Sequence, residues 1–238
     1  MRILLIGGWG MPAAVLEPLR MALGIGREHC LLLDRPLAQW RQQAQAAITP
    51  GSVLVGWSLG GSLALELAGE VRDRVTAVVT IGSNPHFLAT PDWPHGYDAT
   101  QFDLFAQELA RDPAATLARF TALATLGSQH QREEARWMRA QLEPETRFSA
   151  AVLEETLSAL RLLDNRERLA NLDLPVLHLL GQADTLVPAA LAADLRALNP
   201  GHQVRIIEGM AHLPSFRYAS ETAEAVREFV LPMLRSWC

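Results

Sequence analysis

The chain has 238 residues, 49% of them hydrophobic types, enough to bury one sizeable core in what is commonly a single domain for an α/β fold of this length. A formal charge of -5 and a pI near 5.8, without a long run of either sign, argue against nucleic acid as a partner. Cys30 and Cys238 share no zinc or redox spacing, and no apolar run approaches the roughly 20 residues of a membrane-spanning helix, so a cytoplasmic protein that binds no metal is expected.

In chain order, the first apolar run covers residues 3–6. It is too short for the apolar region of a signal peptide and reads as a strand. Gly7-Gly8-Trp9-Gly10 follows it. This loop can offer the backbone N–H of Trp9 to an oxyanion, or can equally be no more than a glycine-rich turn. A helix is predicted over 12–21, a second strand over 30–33 and a helix over 38–48. Residues 52–56 form the next apolar run, which leads directly into Gly56-Trp57-Ser58-Leu59-Gly60. This is G-x-S-x-G in the context that gives the pattern meaning: a strand before it, and after it a helix over 59–70 rich in small residues. A serine on so tight a turn exposes its hydroxyl, and the flanking glycines avoid collisions with neighbouring backbone. The N–H of Leu59, at the helix N-terminus, is a second donor for an oxyanion. An ordinary strand-turn-helix junction with a capping serine is the bland alternative. The fourth strand is predicted over 75–81.

The strand-helix alternation then stops. Between about 85 and 171 the pattern is helical, near 99–111, 114–126, 130–142 and 149–164, opened by Pro91, Pro94 and Gly96 and closed by Leu174-Pro175. A helical cap over 85–171 inserted into an α/β core of 1–84 and 172–238 is the expected organisation. Strands return at 176–180 and 204–207, with helices over 188–198 and 220–235. The short, nearly continuous apolar runs indicate a parallel sheet buried on both faces.

A serine hydroxyl is a weak nucleophile near neutral pH, so it needs a base, and the base needs a carboxylate to hold its tautomer. In this fold class the order is serine, acid, histidine. Asp184 follows the strand at 176–180, and His212 follows the strand at 204–207. Both therefore lie at the sheet edge that carries Ser58, where active sites of open α/β sheets gather. Asp34 is the rival acid, but it precedes the serine. His29, His86, His95, His130, His178 and His202 lack the strand-then-loop placement.

With these positions fixed, the chain resembles the pimeloyl-acyl carrier protein methyl ester carboxylesterases of biotin synthesis, within the α/β-hydrolases. The resemblance rests on Gly8-Trp9-Gly10, on residues 55–61, on Asp92-Trp93-Pro94, Arg119-Phe120, Leu123, Gly127, Ala135-Arg136, Leu186-Val187-Pro188 and Ala211-His212, and spans nearly the whole chain. The chain departs from the family at Gly7, where a histidine is common, and in the shortened loop Asp34-Arg35-Pro36. The resemblance implies hydrolysis of the methyl ester on a carrier-bound pimeloyl chain, without metal or organic cofactor. It also implies an acyl chain lying between cap and core, with Trp57, Phe87 and Phe120 as walls, though for the phenylalanines plain core packing remains the alternative.

The resemblance further implies that Arg119, Arg132 and Arg136 dock the acidic acyl carrier protein, with Ala115 at another such position. The spacing of Arg132, Arg136 and Arg139 puts them in one helical stripe beside an apolar stripe of Ala135, Met138 and Leu142. A solvated face is the alternative, because Glu133, Glu134, Glu143 and Glu145 nearly balance the charge and Arg139 can pair with Glu143. A monomer is expected. Two other functions remain open: a broad carboxylesterase or carbon-carbon hydrolase acting on a free small molecule, and a ligand receptor that kept the hydrolase fold. The complete serine, aspartate and histidine set argues against the receptor.

Overall fold

The computed structural model describes residues 2–142 and 148–235; Glu143, Glu145 and Cys238 lie outside them. Six parallel strands form one sheet: β1 (Arg2–Ile6), β2 (Cys30–Leu31), β3 (Ser52–Trp57), β4 (Val75–Ile81), β5 (Val176–Gly181) and β6 (Gln203–Ile207). Their order across the sheet is β2-β1-β3-β4-β5-β6. β3 and β5 are buried at every position, which is why these runs carry no polar alternation. β2 is shorter than the apolar run at 30–33 predicts. It pairs only Cys30 with Leu5 and Leu31 with Ile6, and Leu33 is buried in the core beyond the sheet's edge.

Between the strands run α1 (Ala13–Leu23), α2 (Leu37–Ala47), α3 (Leu59–Glu70), α9 (Leu191–Leu198) and the terminal α10 (Ala219–Arg235). α3 buries nine of its residues, from Leu59 to Ala68, and is apolar around most of its circumference. Such a helix belongs inside the molecule, and its small residues let it approach the sheet closely. α9 starts at Leu191 rather than at Pro188, because Pro188 belongs to the loop after β5 and its carbonyl accepts the Leu191 N–H at 2.9 Å.

Between β4 and β5 lie α4 (Ala99–Arg111), α5 (Pro113–Ala124), α6 (Gln131–Ala140), α7 (Ala150–Leu162) and the short α8 (Arg166–Ala170). Asp98, Asp112 and Ser149 cap α4, α5 and α7, each side chain accepting a backbone N–H three residues on. α4 packs on α5 and α7, and α5 on α6; α8 instead rests against α3 and α9 beside the sheet. α4 to α7 are thus linked to one another by packing, apart from α8. Among the described residues no helix is long and apolar enough to cross a membrane.

Candidate active site

Ser58 sits between β3 and α3 with φ 56° and ψ -123°. The turn is tight because glycine allows it. A Cβ on Gly56 would lie 2.2 Å from the Gly60 carbonyl oxygen, and one on Gly60 would lie 2.5 Å from the Gly7 carbonyl oxygen. The Ser58 N–H donates to the Ile81 carbonyl at 2.9 Å, which ties the turn to β4. Leu59 is the first residue of α3, so its N–H has no partner within the helix.

The structure brings Ser58, Asp184 and His212 together. His212 Nε2 is 2.9 Å from Ser58 Oγ, and Nδ1 is 2.8 Å from Asp184 Oδ2. A carboxylate at Nδ1 favours the tautomer with its proton there, which turns the Nε2 lone pair toward the Ser58 hydroxyl. Asp184 is itself held, since its Oδ1 accepts the N–H groups of Leu186 and Val187 at 2.8 and 2.9 Å. The His212 backbone is fixed twice: its N–H donates to the Ala124 carbonyl at 3.0 Å, and its carbonyl accepts the Trp57 indole N–H at 2.8 Å. All three side chains are buried. The rival Asp34 is exposed and paired with Arg35 at 2.8 Å.

Other histidines are engaged elsewhere. His178 donates to or accepts from Thr80 Oγ1 at 2.7 Å within the sheet, and burial pushes its pKa down to about 3, so it stays neutral. His95 meets Asp194 at 2.5 Å at the surface. No group of three His, Cys, Asp or Glu side chains among the described residues is placed to hold a metal ion.

A cavity opens onto Ser58 and His212 and is almost wholly apolar. Trp9, Phe87, Tyr97, Phe102, Phe105 and Phe120 line it, with Leu123, Leu157, Leu160 and Leu186. Trp9 reaches it from the loop after β1, and its indole N–H donates to the Leu153 carbonyl of α7 at 2.9 Å. Phe105 and Phe120 meet the Trp9 ring edge-on, each at 5.4 Å. Phe87 and Phe120 thus face the cavity. Trp57 does not: instead of forming a wall, its fully buried ring packs against Gly8 and the His212 loop, and its indole N–H holds the His212 carbonyl. Phe102, Phe105 and Tyr97 escaped the sequence reading because nothing local separates a cavity aromatic from a core one.

Arg119 on α5 and Arg132 and Arg136 on α6 are all exposed. Arg119 is ion-paired with Glu108 of α4. On α6 the arginines face outward and Met138 is fully buried. Glu134 corrects the solvated-face reading for one acid, because it is 1% exposed and points inward. Burial pushes its carboxyl above the ordinary range, opposed by the nearby Ser128 hydroxyl. Glu133 pairs with Arg217, on the loop after His212.

Sequence comparison matches residues 34–217 to the alpha/beta hydrolase fold family. The chain is 38% identical over 244 aligned residues to a pimeloyl-[acyl-carrier protein] methyl ester esterase of Xanthomonas campestris pv. campestris, covering 96% of this chain and 94% of that one. It is 36% identical to the esterase of the same name from Stenotrophomonas maltophilia, covering 96% and 92%. Among solved structures, a bromoperoxidase from Bacillus anthracis superposes with a TM-score of 0.81 at 19% identity, over 97% of this chain and 91% of that chain. An esterase from Exiguobacterium antarcticum gives 0.80 at 17% identity, over 97% and 92%. At such low identity these two speak for the fold alone, whereas the curated relatives match over nearly their full length. The chain therefore belongs to the alpha/beta hydrolase fold family, in the same family as the curated pimeloyl-[acyl-carrier protein] methyl ester esterases.

Proposed function

We propose that this protein is a serine carboxylesterase that hydrolyses the methyl ester of pimeloyl-acyl carrier protein through an acyl-enzyme on Ser58. The observation that carries the reading is the relay from Ser58 Oγ through His212 to Asp184, with links of 2.9 and 2.8 Å, at the floor of an apolar cavity. Ser58 Oγ attacks the ester carbonyl as its proton passes to His212 Nε2. Asp184 stabilises the imidazolium without taking the proton. The oxyanion is received by the N–H of Leu59 and that of Trp9. Collapse breaks the bond to the methoxy oxygen, which takes the proton from Nε2 and leaves as methanol. Water, deprotonated by the same nitrogen, then splits the acyl-enzyme and frees the terminal carboxylate. No metal or organic cofactor enters these steps.

The cavity suits a slender polymethylene chain, each buried methylene contributing about 0.8 kcal/mol, with Phe87 and Phe120 as walls beneath helices α4 to α7 acting as a cap. Docking of the acidic carrier falls to Arg132 and Arg136, since Arg119 is already partnered by Glu108. The test is growth without biotin of a strain lacking its own pimeloyl-ester esterase. Rescue by the native gene and not by Ser58→Ala supports the reading. Rescue by neither, with purified protein still cleaving free methyl esters, would favour a broad carboxylesterase.

A further inference from the structure

Only two described residues other than glycine have a positive φ: Ser58, and Phe216 at φ 56°. For a bulky aromatic side chain that conformation is strained and persists only where its surroundings enforce it. Phe216 lies four residues after His212, and the three residues between them are all buried. From the core side this segment is held by Thr222 of α10, whose hydroxyl donates to the Pro214 carbonyl at 3.3 Å. From the other side it is held by α6. Trp137 stacks on the Phe216 ring with centroids 4.7 Å apart and planes 12° from parallel. Arg217 lies 5.9 Å from the centroid of that ring and pairs with Glu133, one helical turn before Trp137.

We propose that Trp137 is a positioning residue for the base: its stack on Phe216 holds the left-handed turn after His212 and so keeps Nε2 in reach of Ser58. The inference rests on the triad reading above. It makes the seating of α6 a condition of the base's alignment. Because α6 presents Arg132 and Arg136 outward and Trp137 inward, one helix joins the proposed docking face to the catalytic loop.

The experiment measures kcat and KM for a nitrophenyl ester, per active site titrated with a nitrophenyl phosphonate, together with thermal melting. Trp137→Ala should lower kcat about tenfold with KM within about twofold, as a base displaced by a fraction of an ångström would, and Trp137→Phe, which keeps a stacking ring, should recover most of it. Phe216→Gly supplies the second arm, since glycine takes this φ without strain. In that background Trp137→Ala should cost less than about twofold, because the two residues act as one unit. Unchanged kcat in Trp137→Ala, or the same loss in both backgrounds, overturns the proposal. A Trp137→Ala that does not fold leaves Phe216→Ala, which removes the stacked ring, and Trp137→Phe to decide: the proposal then falls if Phe216→Ala keeps wild-type kcat or if Trp137→Phe loses tenfold. Failure of the triad reading is separate, and would be seen as activity surviving in His212→Ala.

Discussion

Gly82, directly after β4, lies against the hydrogen bond between Asp184 and His212. Its φ is +50°, and a Cβ there would lie 3.2 Å from His212 Nδ1, 3.3 Å from Asp184 Oδ2 and 3.4 Å from His212 Cε1. Gly82→Ala therefore adds two penalties. The left-handed backbone costs about 1–2 kcal/mol for a residue with a Cβ. The methyl also wedges against the hydrogen bond between His212 and Asp184, which must yield by a few tenths of an ångström. Neither partner moves freely, because Asp184 Oδ1 is held by two backbone N–H groups and His212 by Ala124 and Trp57. The expected result is a kcat lower by about 10- to 100-fold for a small nitrophenyl ester, with stability reduced by about 1–3 kcal/mol in denaturant unfolding. KM should change little, since Gly82 does not line the cavity. A variant with wild-type kcat would refute the reasoning, whatever its stability.

Asp184→Asn should reduce kcat by about 10⁴-fold with little change in Tm, by favouring the wrong imidazole tautomer, and Asp34→Asn should be silent in the same assay. Glu134→Gln should raise Tm at neutral pH and flatten its pH dependence. Burial raises the Glu134 carboxyl in the folded state, so the folded protein holds the proton longer than the unfolded chain. Stability then falls as pH rises above the ordinary glutamate value of 4.5, and the variant should match the wild type below it. Arg132→Glu with Arg136→Glu should lower kcat/KM for the carrier-bound substrate tenfold or more, roughly 1.4 kcal/mol, with the loss shrinking at high salt and nitrophenyl ester hydrolysis unchanged. Equal losses on both substrates would mean that these arginines support α6 itself.

The positions of Ser58, Asp184 and His212 were legible because each follows a strand signal, and parallel strands put their carboxyl ends at one edge. The helical excursion was legible because its periodicity differs from that of the sheet segments. The close packing around Gly56 and Gly60 was foreshadowed by the residues themselves. Other features came from contacts distant in sequence and carry no local signature. Trp57 sits beside Ser58 in the chain yet supports the His212 carbonyl 155 residues away. Glu134 reads as one more acid on a charged helix, and only the packing of α6 buries it. The Ala124 carbonyl that holds the His212 N–H is a backbone atom of an ordinary residue, and Phe216 takes its left-handed turn with no glycine or asparagine to announce it. Sequence alone thus determined which serine, aspartate and histidine lie at one end of the sheet, because strand periodicity and turn chemistry are local. Which side chains hold those residues in line was decided by the tertiary structure, because burial and orientation depend on what packs against each face.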